Sequence, residues 1–309
     1  MAVDLSPIDA DLLKTLTNVH GIPEGAYNIR KDGELLTRHN SANIEIETKT
    51  DNPGIDIYIK DGTKGERVYI PVIVSKAGLK DVVYNTFHIG EDCDVVIIAG
   101  CGIHNDSHKA SEHDGIHTFH IGKNSRVKYV ENHYGEGSGD GARILNPVTK
   151  VYQDENSFCE MEMVQIRGVT STVRDTDAEL GAGAKLILTE KLLTDGDQKA
   201  TSNMNIRLMG DDSNVQVISR SVAQDNSVQI FNPLVSGEAA CHGHVQCDAI
   251  IMGNAVVKAI PGIEAAHEDA QLVHEAAIGK IAGDQITKLM TLGLTEEEAE
   301  AEILDDFLS

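Results

Sequence analysis

An all-β core wound as a parallel β-helix, with a short helix before it and a helical segment after it, is the fold class this sequence predicts. Three observations carry that expectation. Short alternating strands run from about Ile44 to Ala277, broken by polar pairs such as Asp61-Gly62, Gly90-Glu91-Asp92 and Gly210-Asp211-Asp212. A strand–corner–strand unit recurs, as in HIGEDCDVVII (His88 to Ile98), HIGKNSRVKYV (His120 to Val130) and LMGDDSNVQVI (Leu208 to Ile218). Gly90 and Gly122 are 32 residues apart, and Gly181 and Gly210 are 29 apart, a recurrence that signals a solenoid. Finally, aromatic residues make up only 4% of the chain and Trp is absent, so its core consists of aliphatic ladders. A sandwich of regular hairpins is the alternative to a β-helix here.

The expected elements divide the chain at residues 1–40, 41–277 and 278–309. In the first segment Ser6 caps a helix, Pro7 fits its first turn, and Asp9 and Asp11 suit its positive end. Leu12, Leu13, Leu16 and Val19 form its apolar face, and Gly21 is the expected stop. Strands follow, with Asn43 to Glu47, Asp56 to Ile59 and Val68 to Val74 as examples. In the last segment Ile286, Leu289 and Met290 share one face of a helix that ends at Gly293. Thr295 and Glu298 form a capping box for a final helix with Ala299, Ile303, Leu304 and Phe307 as its stripe. Two helices this short pack on the β body or serve a partner.

Composition narrows the function. The chain has 309 residues, 41% of them hydrophobic, enough for a large core. Its net charge of −23 repels nucleic acid and anionic lipid, which excludes both as main partners; a salty or hot habitat would also account for it. The N-terminus is acidic where a signal peptide needs a basic region, and the apolar stretch Val95 to Ile103 is too short to span a membrane. Five cysteines without framework spacing point to reduced thiols and a cytoplasmic setting.

The C-terminal third is the most distinctive part. Gln246-Cys247-Asp248 leads into Ile251-Met252-Gly253, followed by His274-Glu275-Ala276, Asp284-Gln285 and the run Gly293 to Ala299. In order and spacing, over about 65 residues, this resembles the end of the SufB/SufD family, the scaffold subunits of the SUF iron–sulfur assembly system. Upstream, TEKLLTDGDQKA and the run Ser219 to Ser227 resemble the family's central β region, so the resemblance covers most of the chain. The chain departs from typical SufB in its short N-terminus, which lacks the additional cysteines found there. It is similar to the compact, stand-alone members of minimal archaeal and anaerobic bacterial systems. Ile286-Thr287-Lys288 stand where larger relatives usually carry aromatic residues, and the Cys247–His274 segment is one residue shorter than in SufB.

The resemblance implies a right-handed parallel β-helix and a non-catalytic scaffold, with ATP hydrolysis left to a SufC-type ABC ATPase. It also implies a transient iron–sulfur cluster built between two β-helix subunits, as a homodimer or a SufB/SufD-like heterodimer. The candidate ligands it carries over are Cys247 of the QCD motif, Glu275 of the HE pair, and His274 at the position used by SufD. A cluster held by few thiolates is held loosely, as a scaffold requires. One tension is already visible: adjacent residues of a strand point to opposite faces, so His274 and Glu275 share a ligand only if the strand ends or bulges there. Ile286, Leu289, Met290, Ile303, Leu304 and Phe307 are the expected ATPase-docking residues.

A second constellation lies between Cys101 and His120, where His104, His108, His113 and His117 also fall. Cys101 and His104 are its best metal-ligand candidates, although the spacing fits no zinc finger or ribbon. The alternative is a set of corner and stacked histidines, with His117-Thr118-Phe119-His120 alternating in and out. The loop Gly135 to Gly141 lacks the Lys-Ser or Lys-Thr of a P-loop and reads as a flexible loop. Two other functions compete with the scaffold. A β-helix enzyme acting on acidic polysaccharide would be expected to have a signal peptide and Trp subsites. A histidine-rich metal-binding structural protein would hold zinc without Cys247.

Overall fold

The computed structural model describes residues 5–308. It is a parallel β-helix built from a ten-stranded and an eleven-stranded sheet. From Gly54 onward the chain alternates between the two sheets, so neighbours within a sheet are one coil apart. Stacked corner residues show the repeat directly: Asn124 bonds Asp92, 32 residues before it, and Asn254 bonds Asn226, 28 before it. Asp92, Asn124, Asn156, Asp212 and Asp225 take the left-handed conformation at the corners, with φ between 53° and 58°. Asn and Asp tolerate that region better than other side chains, which explains the polar punctuation of the sequence.

The inward faces stack like with like. Val95, Val127, Cys159, Leu186 and Val215 form one register-matched row. Phe87 and Phe119 stack at 4.4 Å between ring centroids. The run His117 to His120 alternates as expected, with His117 and Phe119 inside and Thr118 and His120 outside. On the outer surface Tyr58, His88, His120 and Tyr152 form a column of stacked rings, 4.7, 5.6 and 5.2 Å apart.

Strands begin earlier than the expected boundary at 41. Ala26–Lys31 and Glu34–His39 form an antiparallel hairpin whose first strand pairs in parallel with Lys64–Val74. The turn is Asp32-Gly33, with φ of 49° and 85°, the positive values that an Asp-Gly hairpin turn requires. This pair and the antiparallel strands Ile44–Thr48 and Gly54–Ile59 close the N-terminal end of the solenoid, where a bare parallel edge would be exposed. The C-terminal end is different. Gln271–Gly279 is the last strand of one sheet, and Val256–Ala259 with Gly262–Ala265 end the other.

Helix α1 (Pro7–Thr17) is capped by the Ser6 hydroxyl, which accepts from the Asp9 amide, while the Asp9 carboxylate accepts from the Ser6 amide. It ends at Asn18, in the left-handed region at φ 54°, and not at Gly21, so Val19 lies outside the helix. Leu12, Leu13 and Leu16 are buried, with Ile29 and Ile73 packed in the same cluster as the first two. Gly102 leaves the room they need: a Cβ there would sit 3.0 Å from Leu12 Cδ2. At the other end α2 (Gly283–Thr291) and α3 (Glu296–Leu308) pack on each other. The Thr295–Glu298 capping box forms as expected. Among the described residues no helix is long and apolar enough to cross a membrane.

Candidate functional site

Cys247 sits in the strand His242–Ile251, where alternate residues Gly243, Val245, Cys247 and Ala249 face the lumen. Its side chain is 1% exposed and belongs to the main core cluster. Burial pushes its thiol pKa up to about 11, with help from Asp248 and Glu190. Its strand pairs with the terminal strand Gln271–Gly279, with Cys247 opposite Ala276.

That terminal strand places the other two candidates. His274 is opposite Val245 and turns inward, and its Nε2 is buried without a hydrogen-bond partner. Glu275 is opposite Gln246 and turns outward, where its Oε1 lies 3.1 Å from His244 Nε2. Gln246 Nε2 beside them donates to Asp248 Oδ2 at 2.6 Å. No bulge interrupts this register. The expected trio is therefore divided by the pleat: Cys247 and His274 share the lumen side, and Glu275 lies on the outer face. A groove of about 700 Å³ runs along that outer face, lined by Gln246, Asp248, Glu275, Ile278, Lys280 and Phe307.

The Cys101–His120 constellation also separates. Cys101 is 1% exposed in the lumen, where burial raises its thiol pKa well above the usual range. His104 stands at the corner with Nε2 2.8 Å from Asp106 Oδ2 and Nδ1 3.0 Å from Glu136 Oε1. Partial burial opposes its protonation, but hydrogen bonds to those carboxylates outweigh it and raise its pKa. Cys101 and His104 thus do not share a site; both His104 nitrogens are committed to carboxylates. Among the described residues, no three His, Cys, Asp or Glu side chains come together to hold a metal ion.

Sequence reasoning missed a buried polar cluster in the lumen. Arg174 donates from Nη1 to Glu131 Oε2 at 2.5 Å, and its Nε lies 3.4 Å from Glu190 Oε1. Tyr129 donates to Glu131 Oε1 at 2.9 Å, and its hydroxyl lies 2.9 Å from His117 Nδ1. His133 Nδ1 is 3.3 Å from Arg174 Nη2. Burial alone would raise the Glu131 pKa, but His133 and Arg174 beside it hold it lowered. Burial lowers His117 and His133 to about 4, so both imidazoles are neutral at pH 7. The register carries this polar row onward: Glu131, Met163, Glu190, Ser219 and Cys247 are successive partners. The signal was present in the sequence, since Glu131 and His133 are in phase with the inward Val127 and Tyr129, and Arg174 with Thr172 and Ala178.

The helical residues expected to meet a partner are partly used within the chain. Ile286, Leu289, Ile303, Leu304 and Phe307 are half-buried, and Ala299 is fully buried. Leu304 and Leu308 line a groove with Ile166 and Leu193 of the β body. Met290 and Leu292 remain exposed at 45% and 77%.

Comparison with known proteins agrees along most of the chain. The family model described as SUF system FeS cluster assembly, SufBD core domain, matches residues 74–307. An iron–sulfur cluster assembly SufBD family protein of Methanocaldococcus jannaschii is 27% identical over 287 residues, covering 91% of this chain and 89% of the relative. One from Archaeoglobus fulgidus is 26% identical over 284 residues, covering 91% and 73%. One from Galdieria sulphuraria is 28% identical over 193 residues, covering 60% and 87%.

Proposed function

Because the chain belongs to the SufBD family of the SUF iron–sulfur cluster assembly system, we propose that it is a scaffold subunit that holds a nascent cluster at the contact between two β-helices. The partner is a SufC-type ABC ATPase docked on α2 and α3, and the second β-helix is another copy of this chain or a SufB/SufD-like relative. ATP hydrolysis is assigned to the ATPase. All five cysteines are free thiols, which suits a reducing cytoplasm.

The observation that carries this reading is the position of Cys247. It lies within the strand that pairs directly with the terminal strand Gln271–Gly279, in register with Ala276. Its thiol is buried and protonated at rest, which protects it from oxidation. Displacing one strand exposes it, together with the unpartnered Nε2 of His274. Movement of two docked subunits by the ATPase would supply that displacement. Once exposed and deprotonated, the sulfur is a soft ligand, and His274 and Glu275 are weaker donors from which a finished cluster is readily passed on.

Anaerobic co-expression with a SufC-type ATPase tests the assembly. The complex should co-purify with iron and acid-labile sulfide, and Leu289→Asp should lose the ATPase. A chain that never retains the ATPase or iron under these conditions would refute the reading.

A further inference from the structure

Resting on that scaffold reading, we propose that His244 and Glu275 form an iron-loading half-site on the outer face of the last two coils, with His244 Nε2 as a direct donor to ferrous iron. The two residues come from neighbouring strands, His242–Ile251 and Gln271–Gly279, and both point away from the lumen. Their donor atoms, His244 Nε2 and Glu275 Oε1, are 3.1 Å apart. Imidazole and carboxylate donors bind first-row divalent ions at roughly 2.0–2.2 Å, so two adjacent ligands on one ion lie about 3 Å apart. The pair already has the spacing of one edge of a coordination sphere.

Access and charge also suit a loading role. The side chains of His244 and Glu275 are 37% and 60% exposed, in contrast to the enclosed Cys247. The groove beside them carries Asp248 as well as Glu275. Imidazole and carboxylate together suit iron(II), and two protein donors hold it weakly, leaving positions for water, sulfide or a ligand from a second subunit. Iron would thus arrive outside while the sulfur-bearing side chain waits inside, separated by the pleat until the terminal strand moves. This arrangement gives Glu275 a role on its observed face, which a resting site shared with Cys247 does not.

The test is anaerobic titration of the full chain with ferrous iron alone, sulfide omitted, read by calorimetry and by proton NMR for a paramagnetically shifted imidazole resonance. Wild type should bind iron and show the resonance. His244→Gln, which keeps a polar side chain at a partly exposed position, should weaken binding by about tenfold or more and abolish the resonance. His244→Ala should do the same, and circular dichroism should report an intact fold in both. Unchanged affinity or a persistent resonance in His244→Gln would overturn the proposal. The scaffold reading fails separately, if the wild-type chain with the ATPase does not carry a cluster when both iron and sulfide are supplied.

Discussion

Cys247 and Glu275 lie one position out of register on paired strands, and the pleat sends their side chains to opposite faces of the same sheet. The sulfur is enclosed and the carboxylate is in solvent, so the closed form of this chain keeps the two candidate ligands apart. On the proposed scaffold reading, a cluster held by both would call for movement of the terminal strand.

Resting Cys247 should accordingly be slow to alkylate. With a pKa of about 11, about one thiol in a thousand is ionised at pH 8. Mass spectrometry after an iodoacetamide pulse should find Cys247 largely unmodified in the isolated chain and modified after unfolding. Rapid labelling of the native chain would show that the terminal strand is already open.

Arg174 is the buried charge whose loss should be felt most. Replacing it with Ala strands Glu131 without its closest cation, and breaking such a pair costs roughly 3–5 kcal/mol. Urea denaturation should show that loss for Arg174→Ala. The double variant Arg174→Met with Glu131→Met should be less destabilised, because no unpaired charge remains.

Acid should weaken the fold through the same cluster. His117 and His133 titrate near 4 when folded and near 6.5 when unfolded. The unfolded chain therefore binds more protons between these values, and stability falls as pH drops from about 6.5 to 4. Each imidazole accounts for up to about 3 kcal/mol of that loss. Denaturation midpoints for His117→Phe should depend less steeply on pH across this window than those of wild type.

The C-terminal helices should separate folding from docking. Leu292 is 77% exposed, so Leu292→Asp should change stability by no more than about 0.5 kcal/mol. It should still reduce capture of the ATPase. Ala299 is fully buried, and Ala299→Asp should disrupt the helix itself, visible as lost helical dichroism.

The solenoid was legible because its punctuation is local: Asn and Asp at the corners and period-two alternation along the strands are properties of neighbouring residues. The capping box at Thr295 and Glu298 was legible for the same reason. The hairpin at Asp32-Gly33 is also written locally, in an Asp-Gly pair between two short strands, although the expected β body begins only at residue 41. Glu131, Arg174 and Glu190 were harder to read, because the register that brings them together spans coils; in the sequence they are isolated charges in strands. The split of Cys247 and His274 from Glu275 depends on a strand running unbroken past residue 274, which spacing alone did not decide. His244 acquired meaning only once that strand was laid beside it.

Anaerobic reconstitution with iron and sulfide, in the presence of the ATPase and ATP, tests the central claim most directly. Wild type should develop the visible absorption of an iron–sulfur cluster, and Cys247→Ala should lose most of it while Cys159→Ala, altered at another lumen thiol, retains it. A full cluster spectrum in Cys247→Ala would contradict the account.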